Sequence, residues 1–449
     1  MRRKQPATLR LSRRAFLQLA GTASAGAILA ACAPQSLPDP LDGVPRQVVY
    51  QDWGTAWFPA LAQEMLAEFH AAHPNIRVFY TPDPADVEAS LEADMANGTA
   101  PDVFAGCCTF FPILAQQGHT LDLTPYLSDL PAGTIADWDP AQFLALRTAG
   151  GRQFGLPKYH GALALYYNKD LFDTYEVDYP DATWNHDDYA NALRALTADR
   201  DGDGRTDLWG GMIDIAWERL QVHANAWGGH FVDPADSTRS EMCSQPTLAA
   251  LRWIRDRMWH ERVMASSLDV QNVSTRQAFI NQQVATVEDG SWALRDILDS
   301  APFRIGVAPL PAGPARRVTL ATTDGFGIYA GTRQPDAAWE LLKFLTGKAY
   351  GRAMARAHFL QPARASLVAE WTSFIRTAYP AAARELDLEI FAEGHLEGYS
   401  VTAEIFANMA PAKALAEEAW HNIFTLAQTP LSAMEQVCRQ IAEKQRERL

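Results

Sequence analysis

Apolar positions change period several times along the chain. Gln47-Val48-Val49-Tyr50 reads as a short strand and Trp53-Gly54 as the turn after it. Leu61, Met65, Leu66 and Phe69 then recur at the spacing of one helical face. His73-Pro74-Asn75 ends that helix, and Ile76-Arg77-Val78-Phe79-Tyr80 gives a second strand. Strand, helix and strand in this order predict a parallel sheet covered by helices. The unit recurs as a helix over 84–97 closed by Asn97-Gly98, a strand at Pro101-Asp102-Val103-Phe104 running into Ala105-Gly106-Cys107, and a helix from Phe110 to Gln117. Leu163-Ala164-Leu165-Tyr166-Tyr167 is apolar throughout, as a strand covered on both faces must be. Asn168-Lys169-Asp170-Leu171-Phe172 turns into a helix. Val284–Val287 and Arg304–Val307 read as buried strands. Ala337–Leu345 and much of 403–445 read as amphipathic helices, the last with Ala414, Leu415, Ala419 and Ile423 in phase. The sum is an α/β protein without internal repeats.

The first residues are organised differently. Ser12-Arg13-Arg14-Ala15-Phe16-Leu17 precedes an apolar run that ends in Leu29-Ala30-Ala31-Cys32. Paired arginines before Phe-Leu resemble a twin-arginine export signal. Small residues before Cys32 resemble a lipobox, whose cysteine is lipidated and becomes the first mature residue. The alternative is an Arg-rich start before a short buried helix. On the export reading residues 1–31 are a signal peptide outside the fold. Residues 32–45, with Pro34, Pro38, Pro40 and Pro45 and no hydrophobic period, are an extended tether. No later stretch approaches the ~18 apolar residues of a membrane helix. A soluble body is therefore expected outside the cytoplasmic membrane, periplasmic or at the cell surface, held by lipid alone.

Composition narrows the partners. About 420 mature residues allow two or three domains of roughly 100–200 residues. A net charge of −14 and a pI near 5.3 argue against nucleic acid. Beyond Cys32, the cysteines Cys107, Cys108, Cys243 and Cys438 allow three full pairings, among which sequence does not choose. Adjacent Cys107 and Cys108 rarely bridge, and buried thiols are the simpler reading. No Cys/His spacing resembles a zinc site. Asp199, Asp201, Asp203 and Asp207 stand at loop positions 1, 3, 5 and 9 with Gly204 at 6, like the first half of a calcium loop. The twelfth position is Gly210 rather than the bidentate Glu, so a structural calcium and a plain acidic turn both stay open. No other cofactor is expected.

Several stretches together resemble the family 1 extracellular solute-binding proteins that feed carbohydrate ABC importers. In order they are Trp53-Gly54 after the early strand, Gly98-Thr99-Ala100-Pro101-Asp102-Val103, Gly155-Leu156-Pro157, Leu165-Tyr166-Tyr167-Asn168-Lys169-Asp170-Leu171-Phe172 and Trp227-Gly228-Gly229. Phe279 through Gly290-Ser291-Trp292, Gly306-Val307-Ala308-Pro309-Leu310-Pro311 and Trp339-Glu340-Leu341-Leu342-Lys343-Phe344-Leu345 complete the run. The resemblance implies an α/β, two-lobed periplasmic-binding-protein-like fold with three crossings, near Leu156–Gly161, Val307–Pro311 and Phe359–Pro362. Lobe 1 would comprise 46–157 with 308–359, and lobe 2 would comprise 158–307 with 360–449. It implies a monomer that captures a sugar or oligosaccharide between the lobes and delivers it to an importer permease, without catalysis. A non-sugar solute, a polyol phosphate or polyamine, is the alternative on the same scaffold. A secreted glycoside-active enzyme would need two carboxyls about 5–10 Å apart, and no motif pairs two.

Ligands of such sheets lie beyond the carboxyl ends of strands. Trp53 and Cys107 follow two strands, and Tyr159 and His160 sit at the first crossing. By the resemblance, Trp217 falls at a helix start facing the cleft and Trp227 at its closing turn. Trp292 matches the family's ring-stacking aromatic, and Asp289 could accept hydroxyl hydrogen bonds. Asp324 falls at the return to the first lobe, and Tyr399 in the region that closes over ligand. The set contains no Lys or Arg, which favours a neutral saccharide. Trp292→Ala is expected to weaken binding at least tenfold with unliganded stability almost unmoved.

Overall fold

The computed structural model describes residues 45–447, so the expected signal peptide, Cys32 and the expected tether through residue 44 lie outside the described residues. Two five-stranded sheets organise the rest. The first runs Ile76–Pro82, Arg46–Asp52, Val103–Gly106, Gly325–Ile328, Leu156–Pro157. Its first three strands are parallel, while Gly325–Ile328 is antiparallel to both neighbours. The second runs Ile305–Ala308, Leu163–Asn168, Val284–Gly290, Trp209–Met212, Met264–Ala265. There Val284–Gly290 is antiparallel to Leu163–Asn168 and parallel to Trp209–Met212.

Each sheet has its own core, which is the physical content of two lobes. The helix Phe58–Ala72 presents Phe58, Leu61, Met65, Leu66 and Phe69 to Val48 and Tyr50 of the first sheet. Its apolar face is the one legible in the sequence. In the second lobe Leu220, Leu251, Trp420 and Ile423 meet from three separate helical segments. Local signals set the boundaries. Gly98 ends the helix Val87–Asn97 with φ 74°, a left-handed cap that costs glycine nothing. The helix His186–Leu196 opens in a capping box, Asn185 and Asp188 each accepting the other's backbone N–H.

The chain passes between the sheets at residues 158–162, 321–324 and 360–362, and the three passes are bonded side by side. Lys158 N donates to Asp324 O at 3.0 Å, Thr322 N to Gly161 O at 2.9 Å, and His160 N to Gln361 O at 2.8 Å. The second pass is not at Val307–Pro311, and residues 308–320 lie with lobe 2 rather than lobe 1. Leu310 is buried in the second core, and His186 N donates to Ala312 O at 3.1 Å. Thr319–Leu320 then pairs with Ser400–Val401. The prolines of 309–314 mark a loop laid along the second lobe, which composition does not distinguish from a crossing.

Cys243 and Cys438 form a disulfide across 195 residues, tying the helix Met434–Arg446 to the start of Gln245–Arg255. Of the pairings the sequence leaves open, Cys243–Cys438 forms, and buried thiols are not the state of this pair. The buried-thiol reading fails for Cys108 too, which is a free thiol but exposed. Removing the bridge by Cys243→Ser with Cys438→Ser is expected to lower stability by about 2–5 kcal/mol, because a long unfolded loop loses its constraint. Denaturant unfolding of the variant against the oxidised protein measures it. Among the described residues no helix is long and apolar enough to cross a membrane.

Candidate functional site

Beside the three passes, a cavity of about 330 Å³ opens between the lobes. Three of its walls stand at strand ends. Trp53 follows Arg46–Asp52, Cys107 follows Val103–Gly106, and Trp292 lies just past Val284–Gly290. Tyr159, Thr322, Thr323 and Asp324 come from the passes, and Glu218 and Arg219 from the first turn of the helix Trp217–Ala226.

The aromatic walls are held firmly. Trp53 meets Phe58 and Tyr159 edge-on at 5.5 and 5.6 Å between ring centroids. The Lys158 ammonium sits 3.2 Å from the Trp53 ring centroid and pairs with Asp52, both side chains being buried. Asp52 also accepts from the Tyr50 hydroxyl and from Trp53 N. The Arg219 guanidinium lies 5.3 Å from the Trp292 centroid. Two glycines make room for the Trp292 ring, since a Cβ on Gly161 or Gly290 would come within 2.7 or 2.1 Å of it. Gly161→Ala is therefore expected to displace Trp292 and to alter the near-UV dichroism of the protein while the far-UV spectrum stays unchanged.

The polar walls are under-partnered. Among the described residues, Glu218 Oε1 and Arg219 Nη1 are buried without a hydrogen-bond partner. Burial raises the Glu218 carboxyl above its ordinary value. Burial also pushes Asp324 up to about 6, against the opposing pull of Lys158. A carboxyl raised on folding contributes stability that is full below the unfolded value of 3.8 and is lost as pH rises through about 6. The stability of the wild type minus that of Asp324→Asn should therefore fall between pH 4 and 6. Urea unfolding at stepped pH checks it, and a flat difference contradicts it.

Of the residues expected at the site, Trp53, Cys107, Tyr159, Trp292 and Asp324 meet in this cavity. The other five do not line it. Trp217 is buried in the second core against Phe231 and Trp420, its Nε1 donating to Glu404 O at 3.1 Å. The helix start does face the cavity, but through Glu218 and Arg219. Trp227, at the far end of that helix, packs edge-on to His186 at 4.3 Å. Asp289 is taken by Arg276, with Nε to Oδ2 at 2.9 Å. His160 points away from its neighbour Tyr159, toward Asp139 and a separate cavity of about 180 Å³ that includes His395. Burial holds its imidazole below its ordinary value, against the opposing pull of Asp139. Tyr399 lies against Gly394, and Ala403 reaches the cavity in its place.

Cys108, Glu218, Arg219, Thr322 and Thr323 line the cavity outside the expected set. For the helix pair a signal existed: with Trp217 and Leu220 sharing a core face at i and i+3, the residues between them must point elsewhere. The acidic loop closes on itself. Asp199 accepts from Gly202 N and Gly204 N, and Asp207 pairs with Arg200. Oxygens of Asp199, Asp201 and Asp207 lie within 4.8 Å of one another, and Asp203 stands outside that group.

A two-lobed α/β body with a cavity at facing strand ends is a periplasmic-binding-protein-like fold. The family model for bacterial extracellular solute-binding protein matches residues 53–352, and the chain belongs to that family. A putative binding protein of Brucella abortus (strain 2308) is 28% identical over 296 residues, covering 64% of this chain and 68% of that protein. Among solved structures, an ABC substrate-binding protein of Listeria monocytogenes in complex with cycloalternan is similar with a TM-score of 0.78 and 22% identity, over 89% of this chain and 98% of that one. The maltose/maltodextrin-binding domain of Bdellovibrio bacteriovorus bound to maltotriose gives 0.72 and 17%, over 89% and 100%. These likenesses show the fold.

Proposed function

We propose that the protein captures a sugar or oligosaccharide outside the cytoplasmic membrane and hands it to the permease of an ABC importer. One observation carries the reading: Trp53, Tyr159 and Trp292 converge on a cavity whose rim holds Glu218, Arg219 and Asp324. A sugar ring has apolar C–H faces and a polar edge. Aromatic planes bury the faces. The charged side chains pair the hydroxyls, each of which would cost ~1–3 kcal/mol if buried unpaired. The cycloalternan- and maltotriose-bound neighbours support the same class of ligand. Closure brings the two lobes together by backbone changes in the three passes at 158–162, 321–324 and 360–362. The protein works as a monomer without a cofactor, and lipid on Cys32 holds it at the membrane.

Arg219 favours a second reading, a polyol phosphate. Glu218 and Asp324 oppose it, because an anion buried beside two carboxyls is disfavoured. Two carboxyls in one cavity also invite a hydrolytic reading, which the membership in a solute-binding family opposes. A thermal-shift screen of the exported protein tests these readings with mono- and oligosaccharides, glycerol phosphates and polyamines. A ligand at a hundred times its dissociation constant adds about 2.7 kcal/mol. The expected result is a saccharide response without release of new reducing ends. A response confined to phosphates supports the second reading, and turnover overturns the first.

A further inference from the structure

The cavity wall carries one feature that sugar binding does not require, a pair of adjacent thiols. Cys107 leaves the strand Val103–Gly106, and Cys108 takes a left-handed backbone with φ 55°. Their sulfur atoms lie 2.7 Å apart. Both residues border the cavity, Cys107 half-buried and Cys108 exposed. We propose that Cys107 and Cys108 are a reversible redox site, closing to a vicinal disulfide in the oxidised protein and reopening under mild reduction.

Three physical arguments support this. The family is extracellular, where disulfides form and persist, and Cys243–Cys438 is already bridged. The sulfur separation approaches the roughly 2.0 Å of a covalent S–S bond, so closure needs little movement. Covalent geometry then sets the character of the bond. Adjacent Cα atoms are held about 3.8 Å apart by a trans peptide, below the roughly 4.4–6.8 Å that disulfides ordinarily span. A ring closed at that spacing is strained, and strained disulfides are reduced before relaxed ones. Cys107–Cys108 should therefore open under conditions that leave Cys243–Cys438 intact, whose Cα atoms are 6.2 Å apart.

The oxidant is a disulfide, either of a thiol oxidoreductase or of oxidised glutathione. One cysteine, as thiolate, attacks a sulfur of that disulfide and forms a mixed disulfide, releasing the first thiol. The second cysteine loses its proton, attacks the mixed disulfide at its partner's sulfur, and releases the second thiol. Two electrons and two protons pass to the oxidant, and one S–S bond forms in the cavity wall. Oxidation removes two S–H donors from the surface that also holds Trp53, Tyr159 and Asp324.

Alkylation with iodoacetamide in denaturant, followed by peptide mass analysis, tests the proposal on the exported protein. Denaturant makes a missing label report a bond rather than burial. The expected peptide spanning residues 107 and 108 carries no label and is lighter by two hydrogens. It gains two labels after mild treatment with reduced glutathione, while the Cys243 and Cys438 peptides stay joined. In Cys108→Ser, Cys107 should not form the ring. Two labels without reductant, persisting after incubation with oxidised glutathione, overturn the proposal. So does a stable glutathione adduct on one cysteine in place of the ring.

Discussion

Trp292→Ala is expected to weaken saccharide binding at least tenfold, a loss of about 1.4 kcal/mol or more. The ring stands just past the strand Val284–Gly290, with Arg219 over it and Gly161 and Gly290 cleared around it. Binding is not its only role. Trp292 is half-buried against the hydrophobic clusters of both lobes, so truncation also removes packing that the unliganded protein uses. The expectation that stability stays almost unmoved is therefore revised to a loss of about 1–3 kcal/mol. Trp292→Phe keeps much of the apolar contact with a smaller stacking plane. Fluorescence titration and urea unfolding of both variants separate the two effects. Unchanged affinity in Trp292→Ala would remove the residue from the site.

Lys158→Met is expected to cause the largest loss of stability of any single change at the site, about 3–5 kcal/mol, because it leaves Asp52 as an uncompensated buried charge. The pair itself contributes little net stability. Burial holds the Lys158 ammonium below its ordinary value even with Asp52 beside it. Replacing both partners, Asp52→Asn with Lys158→Met, should thus recover most of the loss. The single variant also removes the cation from the Trp53 face and should loosen that wall of the cavity. Urea unfolding of the two single variants and the double variant measures the coupling. Additive losses would show that the pair is not the source of the effect.

How far the sequence reached depends on the kind of signal. Strands with an unbroken apolar run, such as Leu163–Tyr167, and helices with a clean face, such as Phe58–Ala72, were legible because burial writes directly into residue type. Strand-end positions were also legible, since the order of elements places Trp53 and Cys107 at the mouth of a sheet. Side-chain direction was not. Tyr159 and His160 are neighbours in one extended pass, yet only Tyr159 borders the cavity. Trp217 has the chemistry of a sugar platform but fills the second core, and the choice between those roles rests on its ring contacts with Phe231, Phe406 and Trp420, all further along the chain. Asp289 met the same fate through Arg276, thirteen residues earlier. Long-range partners decided these residues, and periodicity does not encode them.

Whether the cavity of Trp53, Tyr159 and Trp292 takes a saccharide is directly measurable. Titration of the protein with a panel of mono- and oligosaccharides, followed by its tryptophan fluorescence, is the measurement that decides it. The expected result is a saturable one-site change with at least one saccharide, weakened at least tenfold in Trp292→Ala. No response to any saccharide, with saturable binding of a glycerol phosphate or a polyamine, would contradict it.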